Sequence, residues 1–461
     1  MKLWLVPAAV VVLLGAATVA ATLAPAAAPP PAARPSDTGR ITLACPSFDT
    51  ATAFTRVAAA ATGPGLRTAA LSDPGTADEP QGVAVLAGRK EPVLVSGRRD
   101  TTFGAVSMVR ADTGPDRGLS GVTCRTPGTQ QWFTGVQLGD DAQADLVLVN
   151  SDSTDAVVDL TILGPQGRIN APGSRGLVVE ARGARSVPLA VLASADGPVS
   201  VLVESSAGRV APTLRQRLWD GSDPLGADWI PATAAPDTEL VIPGIPAGDG
   251  RRELVVTNPG ERTASVAVEL LGEQGRSALA GVEHLEIPAG TTRTFDLGPG
   301  LAGQVAGLRL AAEQPVTATV RLASAAKADQ SDPAWAAALP GFGPDGLWPI
   351  PASTSAKVAL LLSNPAEEDQ TVEVTLGNQL GGPGETTTHT VPAGATLTVA
   401  VPEAETDVVE VRAGEASPVR GAVVVTSRLG KIRGLALIDL VDAQQAAATD
   451  LPIEYDPHAG A

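Results

Sequence analysis

Few residues in this 461-residue sequence combine the type and the spacing that chemistry requires. Two strings match the dinucleotide-binding pattern GxGxxG, Gly298–Gly303 (GPGLAG) and Gly341–Gly346 (GFGPDG). That motif works by leading a buried parallel strand into a helix whose N-terminus takes the pyrophosphate, and both strings carry Pro where the helix should begin. A chain with 49 glycines reaches so weak a pattern by chance. The sequence has no GxSxG elbow, no Walker loop, no HExxH pair and no Asn-x-Ser/Thr sequon. His284, His389 and His458 stand apart, with no shared acid or nucleophile beside them. Calcium takes hard oxygen ligands, which GDDAQAD from Gly139, SDSTD from Ser151 and WDGSD from Trp219 could offer, but none has EF-hand spacing and solvated turns explain them better. Two carboxylates brought together by folding could still do acid–base work, which sequence alone leaves open. The reading is a chain with no catalytic residue, no cofactor and no metal site.

Cys45 and Cys124 are the only cysteines, 79 positions apart and in no CxxC motif. An even pair in an exported chain is expected to close a disulfide. Closing that loop stabilises the fold by roughly 4–5 kcal/mol through the entropy of the unfolded chain. The bond would make the N-terminal unit a closed domain that loosens selectively on reduction, the later modules unfolding independently.

Trp132, Trp219, Trp229, Trp335 and Trp348 fall just before or between repeating units. Packing at module junctions is the expected role. The alternative is stacking on sugars, with Trp229 and Trp348 as candidates, although a sugar platform normally recruits Tyr and the chain has only Tyr455.

The elements that would position these residues are written three times. A strand ending in Asn opens each unit: LVLVN to Asn150, LVVTN to Asn258 and LLLSN to Asn364. Second strands follow from Ala156, Ala264 and Gln370, then a turn and strand, with Pro-Ala-Gly corners in the later two copies. Apolar and polar residues alternate with period two between Pro, Gly, Asn and Asp, as in half-buried antiparallel strands. The Asn side chain is expected to bond the backbone two residues on, a structural turn at Asn150, Asn258 and Asn364. Helical periodicity is confined to short Ala-rich pieces such as Val57–Ala61 and Ala334–Ala338.

The predicted fold is all-β, with tandem immunoglobulin-like β-sandwich modules comprising three clear repeats and a diverged N-terminal β unit. Residues 1–28 read as a signal peptide or signal anchor and 29–40 as an Ala/Pro-rich linker. Residues 41–130 form the N-terminal unit, 131–235, 236–340 and 341–442 the repeats, and 443–461 a tail. Long connections from Leu218 and Ser331 are read as joining the repeats.

The apolar run Leu3–Leu23 after Lys2 is an export signal, long enough to remain as an anchor and equally open to cleavage. The body of the chain would then be extracytoplasmic, secreted or held to the membrane by the N-terminal segment only. A net charge of −17 opposes any nucleic-acid partner.

CRTPGTQQWFTG from Cys124, the repeated strand pairs and DWIPATAAPDTELVIPGIP from Asp228 together resemble a family of exported actinobacterial proteins catalogued as a domain of unknown function. The likeness covers nearly all of the chain after the N-terminal segment, and the first repeat departs from it with Ser151 where the later units have Pro. The resemblance implies the cell envelope and no assigned activity. The expected function is a non-enzymatic scaffold, a row of sandwiches offered to an envelope protein or glycan. A carbohydrate-binding array is the alternative, with a carboxylate-dependent hydrolase behind it.

Overall fold

The structure, a computed structural model, describes residues 39–47, 53–87, 90–350, 356–377, 384–402, 408–414 and 417–441. The apolar N-terminal segment, most of the linker and the tail, with Tyr455 and His458, lie outside the described residues.

The second strands Ala156–Gly164 and Ala264–Gly272 share one burial pattern, alternating over five residues before turning wholly inward. That alternation gives each strand one wet and one dry face, and the dry face requires a second layer. The first repeat answers with two antiparallel sheets. One runs Gly183–Pro188, Ala142–Asn150, Ala211–Asp220, Asp223–Ile230; the other Gln130–Val136, Val199–Ala207, Ala156–Gly164, Gly167–Arg168. Leu146, Leu148 and Leu214 from one sheet meet Val158, Leu160 and Val201 from the other in a single core.

The third repeat uses the same order. Thr396–Val401, Ala356–Ser363, Arg420–Leu429 and Ile432–Asp439 face Asp345–Pro349, Val408–Ala413, Gln370–Gly377 and Glu385–Val391. So does the N-terminal unit, in which Val83–Ala87, Ala53–Ala61, Phe103–Ala111 and Gly118–Thr123 face Arg40–Cys45, Val93–Arg98, Arg67–Ala70 and Asp73–Asp78. In the second repeat the two strands that are separate elsewhere fuse into one of 18 residues, Ala306–Ala323. It pairs with Asp237–Ile245 and Ala264–Gly272 over its first part, and with Arg252–Thr257 and Pro333–Ala337 over its second. The chain is therefore four β-sandwiches of one plan.

Two expectations change. The connections from Leu218 and Ser331 are not loops: Asp223–Ile230 and Pro333–Ala337 are the closing strands of the first and second repeats, paired at sheet edges. The Ala-rich pieces at Val57–Ala61 and Ala334–Ala338 lie in or at the end of strands, not helices.

The row of independent modules is also corrected. The four closing strands touch in a cycle: Gly118–Thr123 meets Asp223–Ile230, which meets Pro333–Ala337, which meets Ile432–Asp439, which returns to Gly118–Thr123. The cores run together across the joints. Trp335 of the second repeat sits in the first repeat's core, Leu361, Val424, Leu435 and Leu437 of the third in the second's, and Val106, Met108 and Leu119 of the N-terminal unit in the third's. Polar wiring repeats as well. Thr292 Oγ1 donates to the Leu163 carbonyl and its repeat-equivalent Thr396 Oγ1 to the Leu271 carbonyl, at 2.8 and 2.7 Å, each tying a Pro-Ala-Gly corner to the preceding repeat.

Candidate functional site

Cys45, at the end of strand Arg40–Cys45, and Cys124, just beyond Gly118–Thr123, are disulfide-bonded across the two sheets of the N-terminal unit. Both sulfurs lie in that unit's core, where a covalent tie holds the first strand against the closing strand.

Asn150, Asn258 and Asn364 are fully buried. Each side-chain oxygen accepts the N–H two residues on, from Asp152, Gly260 and Ala366 at 2.9–3.0 Å. Each amide donates to the carbonyl four residues on, from Thr154, Arg262 and Glu368, and to Val179, Ile287 or Val391 in the strand that approaches the corner. Every polar atom of the amide group is engaged by backbone, so the three residues fix corners and present nothing to a ligand.

Trp229 and Trp348 are 2% and 1% exposed, which overturns them as sugar-stacking faces: a buried ring offers no surface to solvent. Trp229 packs on Val109 and Val122 of the N-terminal unit beneath the Arg215 guanidinium, 5.1 Å from the ring centre. Trp348 meets Phe342 edge-on, with centroids 6.0 Å apart. Trp335 donates its indole N–H to the Gly135 carbonyl at 3.2 Å, sealing the joint between the first and second repeats.

Around the cycle of closing strands lies a buried polar hub that the sequence did not announce. Asp332 Oδ2 accepts the N–H groups of Leu119 and Leu435, and its Oδ1 has no hydrogen-bond partner among the described residues. Asp228 Oδ1 accepts from Gly121 and Trp229 at 3.1 and 2.7 Å. Asp439 pairs with Arg125 at 3.1 Å, and Asp116 takes both Arg215 and Arg217 at 3.2 and 2.8 Å. Burial pushes the Asp332 carboxyl well above the usual range. Burial and then the neighbouring Asp332 charge do the same to Asp228. Burial raises Asp439 to about 6 against the pull of Arg125, and lowers Arg215 to about 10 against Asp116. Raised carboxyls often mark catalytic acids. These groups, however, are bonded to main-chain amides and guanidinium groups of adjoining units, which is a fastening role.

The open space is elsewhere. Between the first and second repeats lies a cleft of about 570 Å³, lined by Asp140, Asp141, Trp219, Asp220, Arg251, Glu253 and Arg321 among others. Two of the acidic loops picked out in the sequence, from Gly139 and Trp219, thus converge, and Trp219 brings a half-buried ring to the cleft wall. In the third acidic loop Asp152 pairs with Arg209 at 3.1 Å and Asp155 accepts the N–H of Ala181. Among the described residues no group of three His, Cys, Asp or Glu is placed to hold a metal ion. His284 and His389 lie on separate outer strands, in the second and third repeats. Gly298–Leu301 makes a single helical turn, but it follows the antiparallel strand Thr292–Asp296 and lacks the parallel unit a dinucleotide needs.

Residues 77–402, covering the closing strands of the N-terminal unit and of the first two repeats, match the family model described as a family of unknown function, DUF5719. The chain belongs to DUF5719. The match reaches from the N-terminal unit into the third repeat, so the family includes the joints as well as the sandwiches. No curated protein matches this DUF5719 chain. Among solved structures, an α-L-rhamnosidase of Streptomyces avermitilis, complexed with L-rhamnose, is a distant match. It is 12% identical, covers 82% of this chain and 55% of its own, and has a TM-score of 0.13, too low to carry fold or activity across. The DUF5719 chain spans about half the length of that enzyme.

Proposed function

We propose that this DUF5719 protein is a non-enzymatic scaffold of an actinobacterial cell envelope, carried outside the membrane and offering its junction clefts to a protein or glycan partner. The observation that carries the reading is the use made of the strongly shifted acids: Asp228, Asp332 and Asp439 are 1%, 0% and 4% exposed and hold neighbouring units together. A general acid must reach a substrate proton, and these do not open on water. The disulfide supports an oxidising compartment.

The glycan alternative moves from Trp229 and Trp348 to Trp219, whose ring borders the first cleft. The test is a turnover screen of the purified protein against envelope glycans and peptides, following new reducing ends and new amino termini. No turnover is expected. A specific hydrolase or transferase activity lost on Asp220→Asn or Glu253→Gln would overturn the proposal. Glycan binding lost on Trp219→Ala with unchanged thermal stability would establish the sugar-binding form of it.

A further inference from the structure

The joint between the second and third repeats opens a cleft of about 450 Å³ whose lining contains Arg252, Lys357, Arg428 and Arg433 and no carboxylate. In a chain with 50 acidic and 33 basic residues, such a concentration runs against the overall balance. We propose that this cleft binds an oxyanion, a phosphate or carboxylate group carried by a small ligand. The volume falls within the range of small-molecule sites, roughly 300–1,000 Å³.

The sheet geometry places the cations on one face. Lys357 is paired across the strands with Thr426, Thr426 with Leu435, and Arg428 with Arg433, so all five side chains leave the sheet on the same side. Further along that face Leu361, Val424 and Leu437 are buried in the second repeat's core. Where the apolar contact ends, the face turns cationic and the cleft begins. Arg428 directly opposite Arg433 is a like-charge pair, an arrangement that destabilises an antiparallel sheet. Arg433 is partly answered by Asp249 at 3.0 Å. Among the described residues neither Lys357 nor Arg428 makes an ion pair, and both are exposed. From the other wall Arg252, 3% exposed, is held by the carbonyls of Arg251, Ala323 and Pro246 at 3.0, 2.7 and 3.2 Å. Carbonyls orient a guanidinium without cancelling its charge, so its field reaches the cleft.

The first joint provides an internal comparison. Counting back from the repeated Asn, Gly139–Asp141 stands where Ala247–Asp249 does, and Arg251 where Lys357 does. The same cleft is balanced there: Arg251 and Arg321 both face Glu253, at 3.6 and 3.2 Å, with Asp140, Asp141 and Asp220 alongside. Only at the second joint are the carboxylates gone while the cations remain. Arginine forks suit the bidentate geometry of phosphate and carboxylate, and steering by such a patch weakens as salt screens it.

The site stands apart from the scaffold reading, since an enzyme with this cleft would bind the same anion. The test is calorimetric titration of the full, disulfide-intact protein at low salt, with inorganic pyrophosphate in one arm and a glucuronate disaccharide in the other. Saturable binding in at least one arm is expected, and the stronger arm identifies phosphate or carboxylate as the source. Arg428→Gln and Lys357→Gln should each weaken it by roughly tenfold or more, about 1.4 kcal/mol. Arg251→Gln, in the first cleft, should not. In the absence of anion, Arg428→Gln should leave the melting temperature unchanged or raise it, because it relieves the opposition to Arg433. No saturable binding in either arm, or binding that survives both substitutions, would overturn the proposal.

Discussion

Asp332 Oδ2 accepts the backbone N–H of Leu435 at 2.9 Å, across the joint between the second and third repeats, and the same atom accepts that of Leu119 at 2.8 Å from the N-terminal unit. One carboxylate oxygen therefore fastens three units, reaching residues 103 and 213 positions away. Asp332→Ala orphans two buried amides and should cost about 2–4 kcal/mol in chemical denaturation. Asp332→Asn keeps the acceptor and should cost much less. Gly118 belongs to the same fastening: its φ is +112°, and a Cβ there would lie 1.9 Å from Asp332 Oδ1. Gly118→Ala should destabilise by several kcal/mol, about 3 or more. Its cost and that of Asp332→Ala should add to less than their sum, since the second removes the atom the first collides with.

Stability should fall as pH rises through the mildly acidic range. Asp439 titrates near 3.8 when unperturbed and at about 6 in the fold. A raised acid leaves the fold fully favoured below about pH 4, and that contribution is lost as pH climbs through 6, by about 3 kcal/mol at most. Asp228 and Asp332 are raised in the same direction by burial. Melting temperatures between pH 4.5 and 8 should decline, and Asp332→Asn should flatten the decline. A curve that instead rises with pH would contradict the electrostatics of the hub.

Asn258→Ala removes donors to Arg262 and Ile287 and the acceptor for Gly260. The three bonds are buried, so a loss of about 2–4 kcal/mol is expected in urea unfolding. Asn258→Asp keeps the acceptor alone and should recover only part of that loss. Equal stability of both variants with the parent would remove the corner role.

Reduction of the Cys45–Cys124 disulfide should shift one transition for the whole body of the chain rather than melt the N-terminal unit first. The reason is the continuity of the cores, with Val106, Met108 and Leu119 embedded in the third repeat's. Differential scanning calorimetry with and without reductant checks this, the expected displacement being roughly 4–5 kcal/mol for a loop of this length. An early, separate melt would restore the picture of independent modules.

The Asn corners and the cysteine pair were legible because each depends on local or parity information: a side chain bonding two residues on, two thiols in a chain with an export signal. The closing strands were not. Gly118–Thr123 and Pro333–Ala337 are buried at every position, so their sequences, GLSGVT and PAWAA, lack the alternation by which a half-buried strand is recognised. They were read as a diverged region and a connection. The same lack of period hid Asp228 and Asp332, which look like turn residues beside Trp and Pro until the fold closes over them. The cleft cations were illegible for another reason, since Arg252 and Arg433 are 181 residues apart and become neighbours only through the joint.

Closure of the four terminal strands on one another sets the copy number. In an open solenoid each unit needs only the one before it, so units can be gained or lost singly while the ends remain ends. Here every closing strand already has two neighbours, and the third repeat's last strand finds its second neighbour in the N-terminal unit. A fifth sandwich would have to part Gly118–Thr123 from Ile432–Asp439, and a deleted one would leave two wet edges with Asp332 short of an amide. Length variation in this architecture is thereby directed into hairpin tips and the segments at either terminus, and the tandem duplication that built the chain has no further step open to it without a new centre.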